Sequence, residues 1–287
     1  MPTHALHSPL LGSREEVFDV GHETDSESLS RYSPAPDIDA QGGWNEVANA
    51  IVSLREANIK PSIMSLKQEK LDQLKTLGLL THGGAIHFSM LLETTTTLIS
   101  LVRQRVSCST LPGWRALVDL LLLHVTSNKT SDETMLLIIP KFQVLGTHDC
   151  IDALFVESSQ KLSSFVRDDP GLAFANQKLW EFIRCPVFIA NECDIHNTLH
   201  HAFLKTADLC RVYDIPILRG CVSNGEEWVF FVYIRNDDGT EGGNVFVTEH
   251  LQLQQDLGGL PRVLGLLYDW VDHAREKDSP FCNFYPI

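Results

Sequence analysis

The chain lacks the short motifs that announce a chemistry on sight. It has no GxSxG elbow, no Walker loop ending in Lys-Ser or Lys-Thr, no GxGxxG after a strand and no HExxH pair. Those absences remove the serine-hydrolase, P-loop, dinucleotide and zinc-peptidase readings. It also lacks a run of about 18 apolar residues, the length a membrane span requires. The longest apolar block, Leu120 to Leu123, is bounded by Asp119 and His124, so it reads as a core helix and the expectation is no membrane association. Its seven cysteines include no CxxC pair, a pattern that fits a reducing compartment better than a disulfide framework. No positively charged segment leading into an apolar stretch opens the sequence, so the expected setting is intracellular, cytoplasmic or nuclear.

Basic residues are scarce too. Lys and Arg number 23 against 37 Asp and Glu, for a net charge of −14. Residues 1–40 hold two Arg and eight acids, or −6, which leaves −8 for the rest. Non-specific binding to nucleic acid depends on cations that displace counterions from phosphate, so an acidic body argues against a DNA-coating role. A local basic groove stays compatible with it.

What is present is a globular composition, 44% hydrophobic, after an acidic tail at 1–40 rich in Ser, Pro and His that reads as disordered. Residues 41–88 read as a helical N-terminal region. Apolar residues from Trp44 to Leu54 follow helical spacing, Lys60-Pro61 closes that helix, and Ser65 with Gln68 forms a capping box for a second one. Gly83-Gly84 then marks a turn. Residues 89–287 read as an α/β domain. Helices are expected over Met90–Val106 and Trp114–Thr126, and strands over Met135–Leu145 and Ile151–Val156. A polar excursion and a short helix (173–184) precede the next strand.

The most informative stretch is Cys185 to Asn236, which reads as strand, helix and returning strand. The strand Pro186-Val-Phe-Ile-Ala-Asn191 runs into Glu192-Cys193-Asp194, where two acids two positions apart on a strand share a face. They could ligate a divalent cation. Alternatively, Asp194 is the N-cap of the helix Thr198–Tyr213, and Asp152 is a carboxylate at a strand edge. Glu192 ends an apolar strand and needs a partner, for which Arg211 and Arg219 are candidates. A second cluster, Cys193, His196, His200 and His201, has spacing compatible with three zinc ligands, with Cys210 or Cys185 to complete a tetrahedron. Trp228 and Phe230 alternate with Val229 and Phe231 as core residues do.

With these elements in order, residues 89–250 resemble the PD-(D/E)XK, or restriction-endonuclease-like, nuclease superfamily, most strongly over Val187–Ile234. The hairpin Ser223-Asn-Gly-Glu-Glu-Trp-Val-Phe-Phe231 looks like the TDGxxWxF strand pair of fungal and bacterial members. The segment Leu260 to Trp270 is similar to that of uncharacterised fungal relatives. The resemblance implies a central mixed β-sheet flanked by helices, an acid at the start of the second strand, Glu-x-Lys on the third, and a helix returning to a fourth. It places the metal-binding acids on Asp152, with Asp149 as rival, and on Glu192, with Asp194 assisting, and a helix acid on Glu93. It implies Mg²⁺-dependent phosphodiester cleavage with nucleic acid as partner, or a relative of such an enzyme that keeps the fold and binds nucleic acid without cutting. The chain departs from the family at position 194, where Asp stands in place of the Lys that orients the attacking water. Lys205 on the following helix, or Lys161, would have to replace it. The degenerate motif and the acidic body point to an alternative: a catalytically inactive scaffold that uses the same fold to bind a protein partner.

Overall fold

The computed structural model describes residues 51–79, 90–108, 110–129, 131, 133–148, 150–175, 177–190, 195–236 and 240–285. The tail at 1–40, the Gly83-Gly84 turn and Asp149, Glu192, Cys193 and Asp194 lie outside the described residues. The chain divides after Ala40, and all the elements named here belong to the unit Gln41–Ile287.

The fold is α/β, a mixed sheet of nine strands flanked by helices. The strands are β1 (Ile59–Leu66), β2 (Thr134–Gln143), β3 (Cys150–Ser159), β4 (Ile183–Ile189), β5 (Ile217–Ser223), β6 (Glu227–Arg235), β7 (Gly243–Val247), β8 (Leu251–Gln252) and β9 (Cys282–Tyr285). Their order across the sheet is β2-β3-β4-β5-β6-β7-β1-β9, with β8 paired to β6. β2, β3 and β4 are antiparallel neighbours, β5 runs parallel to β4, and β6 is antiparallel to β5. The helices are α1 (Leu71–Leu79), α2 (Leu92–Arg105), α3 (Leu111–Asn128), α4 (Gln160–Asp168), α5 (Pro170–Ala175), α6 (Ile195–Val212) and α7 (Leu260–Asp272). The parallel step from β4 to β5 requires a crossover, and α6 supplies it.

Period-two alternation divides the strands between two cores. Trp228, Phe230 and Val232 of β6 face one core with residues of α1, α2, α3 and α7, while Val229, Phe231 and Tyr233 face the other with residues of α4, α5 and α6. Both faces being covered explains why the central strands are apolar almost throughout. The inward residues expected of the crossover helix, Leu199, Ala202, Phe203, Thr206, Leu209 and Cys210, are all buried.

The N-terminal region departs from the helical expectation. Residues 51–56 are helical and α1 follows, but Ile59–Leu66 between them is a strand in the main sheet, parallel to β7 and antiparallel to β9. Ile59, Met64 and Leu66 are buried, and Pro61 sits where a strand with a free hydrogen-bonding edge tolerates it. The capping-box reading of Ser65 fails because Ser65 is paired with Asn283 in the sheet. The excursion after β3 is α4 and α5, and a 3-10 turn (Gln177–Phe182) replaces the helix expected over 173–184.

α1 approaches α7 closely. A Cβ on Gly78 would lie 1.9 Å from the Pro261 carbonyl oxygen, and one on Gly265 would lie 2.2 Å from that of Leu74, so the contact is built on glycine from both sides. A buried ion pair fixes α7 to β5, and its guanidinium also holds the chain beyond the helix. Arg219 and Asp269 are 0% and 1% exposed, with Nη1 of Arg219 2.8 Å from Oδ2 of Asp269. Arg219 Nε donates to the Glu276 carbonyl at 3.0 Å, Nη2 donates to that of Asp278 at 2.7 Å, and the guanidinium lies over the Trp270 ring. Arg219, one candidate partner for Glu192, belongs to this network, and Arg211, the other candidate, is paired with Asp208.

Removing one partner of a buried pair strands the other charge, which costs about 3–5 kcal/mol. Asp269→Ala is expected to lower unfolding stability by that amount in urea titration; a loss below about 1 kcal/mol contradicts the network's role. A second outcome concerns His124, buried on α3 with Nδ1 2.7 Å from Thr95 Oγ1. Burial lowers its pKa from 6.5 to about 4. Between those values the unfolded chain binds a proton that the folded chain refuses, so stability present above pH 6.5 is lost as the pH falls towards 4. Between pH 7 and pH 5 wild type should lose roughly 2 kcal/mol more than His124→Leu, measured as the difference in urea midpoints. Equal losses would show that His124 does not titrate between the two states.

Candidate active site

The candidate site forms where β3 and β4 part. Their ladder runs from Val156↔Ile183 to Ala153↔Val187 and stops, while β4 stays paired with β5 through Ile189↔Ser223. Asp152, one residue beyond the last pair, fills the gap. Its Oδ2 accepts the backbone N–H of Ile189 at 3.0 Å, so a side chain stands in for the lost ladder bond at the end of β4. Asp152 is thus a fixed, 23% exposed carboxylate and not a solvent-facing edge acid.

Cations surround this point. Lys141 of β2 lies opposite Asp152, between the pairs Pro140↔Ala153 and Phe142↔Ile151, and its ammonium contacts Asp152 Oδ1. Arg115 of α3 donates to the Asp152 carbonyl at 3.4 Å and pairs with Asp119 at 3.5 Å. Lys205 of α6 donates to the Cys150 carbonyl at 3.0 Å, so the helix lysine expected from the sequence does reach the start of β3. Lys161 does not. It follows the far end of β3, seven strand residues and about 23 Å from Asp152. Glu93 is exposed in the first turn of α2, beside Thr95, whose partner His124 is nine residues, or about 13 Å, along α3 from Arg115.

The backbone is distorted at the same place. Lys141 has φ +51°, left-handed for a residue with a side chain. Ile139 and Phe142 face one core although they are three positions apart, and so do Ile151 and Leu154. Both strands therefore slip by one in their alternation at the Lys141–Asp152 pair. A left-handed non-glycine residue costs about 1 kcal/mol or more. Lys141 is 59% exposed, and an exposed ion pair returns only about 0.2–1 kcal/mol. The ion pair alone offsets at most part of that strain.

Other polar groups share this end of the sheet. The rings of His196, at the start of α6, and His250, before β8, are 5.1 Å apart, and His250 Nδ1 is 3.7 Å from Glu227 Oε2. His200 turns instead to Phe203, and burial lowers its pKa. Among the described residues no group of three or more His, Cys, Asp or Glu is arranged to hold a metal. The candidate fourth zinc ligands are buried: Cys210 has its thiol pKa pushed up by desolvation, and Cys185 lies against Cys221. A cavity of about 890 Å³, lined by Ala57, Arg211, Tyr233 and Arg235 among others, lies at the other end of β6, and its arginines are paired with Asp208 and Asp214.

Sequence reasoning missed Lys141. The signal was available: Asp152 and Lys141 face one another once the β2–β3 hairpin is registered outward from the Gly146 turn. No protein-family model matches the chain, and no curated protein matches it. Among the described residues no helix is long and apolar enough to cross a membrane.

Replacing Asp152 with Ala removes the acceptor for Ile189 and leaves that N–H without its partner, at a cost of about 1–3 kcal/mol. Hydrogen exchange at the Ile189 amide should accelerate in Asp152→Ala while the Phe230 amide, in the sheet centre, keeps its protection. Unchanged exchange at Ile189 would mean that the carboxylate does not hold the end of β4.

Proposed function

We propose that the protein is a Mg²⁺-dependent phosphodiesterase acting on nucleic acid, with Asp152, Glu192 and Asp194 holding the metal. The observation that carries this reading is the Asp152 carboxylate seated at the end of β4, bonded to Ile189, three positions before Glu192. Glu192 follows Ile189 by only three residues in the sequence, which supports the assignment of both acids to one cation. Three carboxylates are a hard-oxygen donor set, the kind that suits Mg²⁺. Further support comes from the element order. Asp152 is the third residue of the second strand in an antiparallel run of three, and a helix then returns to a strand parallel to the third, as the resemblance to the nuclease superfamily implies. The site also lies outside the carboxyl ends of the parallel strands β4 and β5, where open α/β sheets bind ligands.

When bound, such an ion supplies stabilisation of the charge that develops on the phosphate. The chain's own contribution is positional. The Ile189 N–H fixes the Asp152 carboxylate through Oδ2, and a cation would take the place that the Lys141 ammonium holds at Oδ1. Arg115 and Lys205 approach the start of β3 from opposite helical layers and offset the charge of the acids. Glu-x-Asp provides no amine at position 194, so the positive charge that contacts substrate comes from another element. The competing reading, an inactive scaffold that binds a protein, draws on that missing amine and on the acidic surface.

The test is cleavage of a mixed pool of single- and double-stranded DNA and RNA by the full chain with Mg²⁺ or Mn²⁺. Wild type is expected to cut, and Asp152→Asn and Glu192→Ala each to lose roughly 100-fold or more, with loss on chelation of the metal. Cutting by both variants at the wild-type rate overturns the site. A wild type inert towards every substrate and metal overturns the activity and leaves the scaffold.

A further inference from the structure

The phosphodiesterase reading needs an amine that the Glu-x-Asp motif does not contain, and the geometry points to Lys141. We propose that Lys141 is the catalytic amine of this site, its ammonium hydrogen-bonding a non-bridging phosphate oxygen of the scissile group. The inference rests on the phosphodiesterase reading and identifies the charge which that reading leaves unassigned.

Several observations single this lysine out. It stands directly across the β2–β3 ladder from Asp152 and touches the carboxylate. It is the most exposed of the three cations near Asp152, at 59%, so a substrate phosphate can reach it. Its φ of +51° is a conformation that Gly or Asn would adopt at less cost, and it occurs where both strands lose their alternation. The rivals are engaged elsewhere. Lys205 is part-buried and donates to the Cys150 carbonyl, whereas Arg115 pairs with Asp119 and donates to the Asp152 carbonyl. A cation taken up by Asp152 would weaken the hold of that carboxylate on the ammonium and repel it towards the anionic substrate.

In the hydrolysis a bond forms between a water oxygen and phosphorus as the ester P–O bond breaks. One water proton passes to solvent, and the leaving alkoxide takes a proton from solvent. Lys141 remains an ammonium throughout, stabilising charge on the phosphate oxygens and transferring no proton.

The experiment compares wild type, Asp152→Asn, Lys141→Met, Lys141→Gly and Lys205→Met as full-length proteins, reading nucleic-acid cleavage, Mn²⁺ affinity by calorimetry and thermal midpoint. Lys141→Met and Lys141→Gly are expected to lose roughly 100-fold or more in cleavage. Both should bind Mn²⁺ several-fold more tightly than wild type, because the ammonium no longer competes for Asp152. The glycine variant should melt no lower than wild type, since glycine suits the backbone at position 141. Lys205→Met is expected to lose less than either Lys141 variant, and a larger loss there overturns the assignment. If wild type cuts and Asp152→Asn does not, cleavage by Lys141→Gly within about three-fold of wild type overturns the assignment and leaves the phosphodiesterase reading standing. Mn²⁺ affinity unchanged or weakened in both Lys141 variants overturns it as well. A wild type that cuts nothing brings down the phosphodiesterase reading and this inference with it.

Discussion

The hydrogen bond from the Ile189 N–H to the Asp152 carboxylate is the contact on which the functional architecture depends. β4 parts from β3 after the Ala153–Val187 pair, and a strand that leaves its neighbour exposes a row of unpaired backbone groups. Asp152 resolves this at one point by accepting a bond that a backbone carbonyl would otherwise take. The same carboxylate meets Lys141, so a single side chain ends the ladder, holds the end of β4 and sets a charge where the strands part.

Strain and order are divided between different parts of the molecule. The sheet centre is conventional: β5 and β6 are paired over seven registered positions, and both faces are covered by helices. Its rigidity extends past α7 through the Arg219–Asp269 pair, whose guanidinium also binds the chain at Glu276 and Asp278. Left-handed non-glycine residues occur at several places, Asn58, Asp214, Gln254 and Leu257 among them, but one edge of this framework combines three irregular features. There a left-handed lysine, a slipped alternation and a parted ladder coincide within a few residues of the same carboxylate. A framework that is firm elsewhere can hold such a distortion, which costs only about 1 kcal/mol or somewhat more.

Much of the fold was legible in the sequence. Continuous apolar runs such as Val187–Ala190 and Trp228–Tyr233 announced strands buried on both faces, and the 3.6-residue spacing of Leu199, Ala202, Phe203 and Thr206 gave α6 its inward face. β1 was hidden because Lys60-Pro61 looks like a terminator and Ser65-x-x-Gln68 like a cap; only pairing with β7 and β9, about 180 residues and more away, makes Ile59–Leu66 a strand. β8 and β9 are short and exist by the same kind of remote pairing. For the site, Asp152 and Glu192 were singled out by residue type and position. The placement of Lys141 opposite Asp152 was legible only through the register of the β2–β3 hairpin about Gly146, and its φ is not signalled by residue type.

The central claim, that Asp152 and Glu192 act on one cation, is tested most directly by a double-mutant cycle on Mn²⁺ binding to the full chain. If both carboxylates ligate the same ion, Asp152→Asn and Glu192→Gln should each weaken binding about ten-fold or more, and the double variant should lose far less than the product of the two losses. Losses that multiply as independent effects, or a wild type that does not bind Mn²⁺, would contradict the account.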